Sequence, residues 1–126
     1  MISEQQIKAV LNLNAAGRYN HFIKQVVDYE KVWGLYFDGW ATSADNQEQK
    51  LIPVWPRREY ALLHASDEWE GFEPKAISVN EFINTFIPEL VKSNYGLSVF
   101  YVADVGGVDI EITQLLNDLE IEACKY

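Results

Sequence analysis

A chain of 126 residues with a formal net charge of −9, from 19 acidic and 10 basic side chains, is long enough for one domain with a real core. It is too acidic to hold a phosphate backbone or an anionic membrane surface, so no nucleic acid and no membrane is expected as a partner. Hydrophobic residues make up 48% and aromatic residues 13%, a globular composition, and the single cysteine, Cys124, excludes an intramolecular disulfide and a thiolate zinc site within one chain.

In chain order, the opening MISEQQIKAVLNL lacks both a basic start and a long apolar run. It is therefore read as mature chain rather than a signal peptide, and with no run of membrane-spanning length the expected location is the cytoplasm. Ser3 with Gln6 three residues later reads as a capping box, and residues 1–14 are read as a peripheral N-terminal helix on a single domain of 1–126. Asn14 is placed to cap a second helix over 15–30, in which Tyr19, Phe22, Ile23 and Val26 recur at helical spacing. The period then changes to two from Val32 to Phe37, as in a strand, and Asp38-Gly39 is a hairpin signal. WATS is expected to return, residues 44–49 to turn, and LIPV to form a third strand, which Pro53 assigns to an edge or to brief pairing because it lacks an N–H.

A helix is expected from Pro56 or Arg57, with Ala61, Leu62, Ala65 and Trp69 as its apolar stripe. EGFEPK reads as a loop and AISV as a short strand. Asn80 is expected to cap a helix over 81–93 with Phe82, Ile83, Phe86, Ile87, Leu90 and Val91 on its apolar face and a kink at Pro88. LSVFYVAD, apolar on both faces, reads as a central strand. Gly106-Gly107 is read as a turn, and a last helix is expected over 112–123. The fold class implied is α+β: one compact domain with a mixed, mainly antiparallel sheet of four to five short strands and about five helices packed mainly on one face.

The order Trp33-Gly34-Leu35 on a strand, a glycine turn, Pro53-Val54-Trp55-Pro56 leading to Ala61, a Phe82-containing helix ending in IPEL and a strand like LSVFYV resembles the bacterial family called domain of unknown function 2750. The resemblance covers about residues 15–120, and PVWP is its most specific piece. It implies a single compact domain. The family name carries no established activity, so no catalytic residues transfer.

Chemistry-bearing motifs are sparse. His21 and His64 are isolated, without metal-ligand spacing, and read as surface or half-buried packing. Cys124 lies third from the end, a poor place for a nucleophile. DVGGVD lacks the lysine and spacing of a phosphate loop. No cofactor, metal or catalytic residue is expected. Two sets of residues remain. Trp55 and Trp69 with Arg57 and Arg58 are candidate ligand or partner contacts; Trp55 is read mainly as a latch held by two prolines. The arginines stand in a helical first turn, where the helix dipole disfavours positive charge, and nearby acidic groups are expected to pair with them unless an anion does. Asp67, Glu68, Glu70, Asp118, Glu120 and Glu122 are the candidate acidic docking face. The leading functional expectation is an acidic, non-catalytic protein that binds a basic protein partner, as an immunity protein or adaptor would. The rival is a sensor or enzyme with a pocket lined by Trp33, Trp55 and Trp69 and an arginine as anion contact. The sequence fixes neither oligomeric state nor strand order.

Overall fold

A computed structural model of the chain describes residues 2–44, 49–103 and 105–125. The chain is an α+β domain with two small sheets. Helix α1 (Glu4–Leu11) opens at Ser3, whose hydroxyl accepts the Gln6 N–H, and none of its residues is fully buried. Helix α2 (Ala15–Tyr29) opens at Asn14, whose side chain accepts the Gly17 N–H, and ends at Glu30 in a left-handed conformation. Strand β1 (Lys31–Tyr36) follows directly. Strand β2 (Ser43–Ala44) is brief, and residues 45–48 of the turn expected after it lie outside the described residues. Strand β3 (Lys50–Val54), helix α3 (Arg58–Leu63) and a single 3-10 turn (Asp67–Trp69) come next. Then come strand β4 (Glu73–Ser78) and a continuous helix that starts as α4 (Val79–Glu81), widens to a π-helical turn (Phe82–Phe86) and ends as α5 (Ile87–Lys92). Strand β5 (Gly96–Val102), strand β6 (Gly106–Val108) and helix α6 (Ile112–Ala123) complete the chain.

One ladder pairs β1 with β4 antiparallel; the other runs β2-β3-β5-β6, with β3 and β5 parallel and the remaining pairs antiparallel. A reciprocal pair of backbone bonds, Trp33 N–H to the Trp55 carbonyl at 2.9 Å and Trp55 N–H to the Trp33 carbonyl at 2.8 Å, joins the two ladders. Strand β3 is thereby interior, not the edge strand that Pro53 suggested. Backbone groups alternate between the two edges of a strand, so Pro53 faces the same edge as Trp55. It falls between the Ser43–Leu51 pairing and the Trp33–Trp55 pairing, where among the described residues neither β2 nor β1 pairs with it.

Other differences have local causes. Helix α3 stops at Leu63, so Leu62 is exposed and Trp69 reaches the core from the 3-10 turn instead of from the helix. The carbonyl of Tyr60, in the last turn of α3, bonds the His64 ring instead of continuing the helix. EPK of the expected loop belongs to β4, and Gly106-Gly107 lies in β6 rather than in the turn. Ser78, not Asn80, caps the long helix, its hydroxyl accepting the Glu81 N–H. Pro88 produces no simple kink. The wider turn just before it accommodates the missing N–H and resets the phase of the apolar face. In a regular α-helix positions 82 and 87 stand about 140° apart. Here Phe82, Ile87 and Leu90 all point into the core, Phe86 is half-buried, and Val91 is 59% exposed.

Candidate functional site

Register defines the two faces of the sheet near the joint between the ladders. Gly34 lies opposite Lys75 and Val32 opposite Ile77, so Gly34, Lys75 and Ile77 share a face. Trp33 lies opposite Trp55 across the joint, which puts Ile52, one step out of phase, on the Gly34 face.

On that face Gly34 makes room for an aromatic ring. A Cβ built there would meet two carbons of Trp40 at 2.8 and 2.9 Å. The Asp38-Gly39 turn, with Asp38 at φ 54°, carries Trp40 back over the strand, and Trp40 stands edge-on to Tyr36 and to Phe86 at 5.2 and 5.5 Å. The long helix lies alongside. Between helix and sheet runs an open cleft of about 470 Å³ whose apolar lining is Trp40, Ile52, Ile77, Phe86 and Leu90, with Tyr95 at its end. That volume is in the range of small-molecule sites. Its polar lining is Lys75 from the sheet and Glu81, Thr85, Glu89 and Ser93 from the helix. Lys75 places its ammonium 4.1 Å from the centre of the Tyr36 ring and 5.6 Å from that of Trp40, and Lys50 sits 5.8 Å above Tyr95. Thr85 and Phe86 belong to the π-helical turn, a distortion found disproportionately at functional sites. No histidine or cysteine lines the cleft.

The opposite face carries the Trp55 cluster. Trp55 is fully buried, stacked on His64 at 5.3 Å and edge-on to Trp69 at 6.3 Å, and its indole N–H donates to the Tyr101 carbonyl at 2.8 Å. Trp69 is buried as well, donating to the Thr42 carbonyl at 3.3 Å. His64 is buried between the Tyr60 carbonyl, 2.8 Å from Nδ1, and the Ala103 N–H, 3.3 Å from Nε2. A carbonyl only accepts and an N–H only donates, so the ring is the neutral tautomer with its proton on Nδ1. Burial pulls the His64 pKa below the usual histidine value, partly offset by the Tyr60 hydrogen bond. Burial does the same to His21, with Arg57 and Lys24 adding to it. A hollow of about 280 Å³ beside this cluster touches Leu63, His64, Trp69 and Tyr101, but neither Trp33, Trp55 nor the arginines line it. The expected Trp33–Trp55–Trp69 pocket is thus replaced by a packed cluster, and the tryptophan of the cleft on the other face is Trp40.

The arginines diverge. Arg57 is the N-cap residue of α3, but its guanidinium turns away to stack on Tyr29 at 4.2 Å and to donate to Gln25 at 3.4 Å. Arg58 is exposed. The acidic partners expected for them are not there: among the described residues the ion pair formed is Lys125 with Glu122, at 3.1 Å. Asp67, Glu68 and Glu70 are exposed around the 3-10 turn. On α6, Asp118 accepts the Tyr19 hydroxyl, Glu122 pairs with Lys125, and Glu120 is exposed. The six acidic candidates therefore lie on separate elements, and two are already engaged. Sequence reasoning passed over Trp40, Lys75 and the buried Arg18, whose Nη1 donates to the Leu13 carbonyl at 3.1 Å while its Nε has no partner among the described residues. Phe86 in an apolar stripe with Pro88 two residues later was the one sequence trace of the cleft. Among the described residues no group of three or more histidine, cysteine or acidic side chains could hold a metal ion, and no helix is long and apolar enough to cross a membrane.

A family profile described as Protein of unknown function (DUF2750) matches residues 19–119. The chain belongs to this family. The DUF2750 match takes in both ladders, the Trp55 cluster and every residue of the cleft, and leaves out α1, the first turn of α2 and the last residues of α6. No curated protein and no solved structure matches the chain.

Proposed function

We propose that this domain is a non-catalytic, cytoplasmic binding module whose working surface is the cleft under the π-helical turn. The observation that supports the reading is the combination, in one cavity of about 470 Å³, of an apolar floor with an aromatic wall and charged groups at its lip. An apolar group entering it would displace water from Ile52, Ile77, Phe86 and Leu90 and stack on Trp40. A neutral naphthylamine dye, dark in water and bright in apolar sites, tests this. One equivalent should bind and brighten, and Thr85→Trp, which fills the cleft from an exposed position, should abolish the signal without changing the melting temperature much. Equal binding by wild type and Thr85→Trp would overturn the reading.

A second reading, docking of a basic protein, is favoured by one observation: Asp67, Glu68 and Glu70 are exposed in and just after the single 3-10 turn and none is in an ion pair among the described residues. Complementary charge would steer such a partner. A small basic protein such as lysozyme serves as the probe. Binding that weakens with salt and disappears on Asp67→Lys with Glu68→Lys would support it, and binding that survives the double change would remove this face from consideration.

A further inference from the structure

The charges at the lip of the cleft are sorted by wall. Lys75 stands on the sheet wall, and Lys50, which does not itself line the cavity, lies over the ring of Tyr95 at its end. Glu81 and Glu89 stand on the helix wall. None of the four is in an ion pair within 4 Å among the described residues, although two signs of charge face one cavity. The lysine ammonium groups are held against aromatic faces, which orients them without consuming their N–H donors. Between the walls the floor is apolar.

We propose, resting on the cleft reading above, that the ligand is a zwitterion of amino-acid chemistry: an apolar or aromatic body, a carboxylate that meets Lys75, and an ammonium that meets Glu81 or Glu89. Two charge-assisted contacts of opposite sign fix the orientation of such a molecule, and the floor takes its side chain. A free amino acid and a short apolar peptide share this chemistry. An anion alone would face Glu81 and Glu89, and a cation alone would face Lys75, each leaving one wall unanswered.

The test is displacement of the neutral dye from the wild-type chain by phenylalanine, by N-acetylphenylalanine, by phenylalanine amide and by the dipeptide Leu-Phe. Phenylalanine or Leu-Phe, whichever displaces at lower concentration, identifies the source. Each blocked form should bind about tenfold to a hundredfold more weakly than the zwitterion. The variants assign the walls. Lys75→Met keeps the aliphatic stem over Tyr36 and should erase the penalty on the amide. Glu81→Gln with Glu89→Gln should erase the penalty on the acetylated form. A dye that binds but is displaced equally by all forms, or by none, overturns this inference and leaves the cleft reading standing. A dye that does not bind overturns both.

Discussion

A methyl group at Gly34 would sit 2.8 Å from the Trp40 ring, closer than side-chain carbons approach. Gly34→Ala must therefore push Trp40 off the sheet and narrow the cleft. Overpacking of this kind typically costs about 1–3 kcal/mol. Denaturant unfolding should show a lower midpoint at unchanged slope, and dye binding should weaken in the same variant. An unaltered midpoint would mean that Trp40 does not rest on Gly34. The histidines make a second statement at this scale. His64 and His21 both have folded-state pKa values below the usual histidine value of 6.5 because burial penalises their charged forms. The unfolded chain then binds more protons than the folded one as pH drops through 6.5. Their contribution to stability is fully present above that value and is lost as pH falls toward the lower folded values. The melting temperature should decline as pH falls below about 6.5, and His64→Gln with His21→Gln should flatten the decline; a slope unaffected by the pair would place its cause elsewhere.

Among the elements, the long helix departs furthest from its sequence pattern. Six apolar positions at helical spacing make Phe86, mid-stripe with Phe82 and Leu90 one turn to either side, the expected core anchor. The π-helical turn separates the two phenylalanines: Phe82 is completely buried, whereas Phe86 is half-buried against Trp40 and open to the cleft. Phe82→Ala should cost about 3–5 kcal/mol, as full deletion of a buried aromatic does. Phe86→Ala should cost clearly less and instead remove dye binding. Equal costs in denaturant unfolding would indicate a regular helix. Elements with local signals were legible. α2 and α6 begin and end within a residue of where caps and periodicity put them, because Asn14 and the Leu115–Leu119 spacing act within a turn or two. α3 was overextended because its end depends on the Tyr60 carbonyl meeting the His64 ring, with no glycine or proline to announce it. The pairing of β3 was misplaced because Pro53 is tolerated by a gap between two partner strands, a feature of three segments far apart in sequence.

For the molecule as a whole, class and family were legible and the site was not. The WGL and PVWP segments carried the resemblance, and the structure shows why they belong together: Trp33 and Trp55 are the residues that join the two ladders. Trp40, Lys75 and Glu89 become neighbours only when a hairpin turn, a strand and a helix converge, which no local pattern encodes. The Trp33–Trp55 joint has a consequence for how the domain moves. The cleft draws Ile52 from one ladder and Lys75 and Ile77 from the other, so its floor straddles the joint. Any opening of those two backbone bonds slides one half of the floor past the other, and any molecule lodged across the floor resists the slide. Occupation of the cleft should then slow hydrogen–deuterium exchange at the amides of Trp33 and Trp55, whose side chains point to the face of the sheet away from the ligand. Exchange there that is indifferent to a saturating ligand would mean that the two ladders move as one rigid plate.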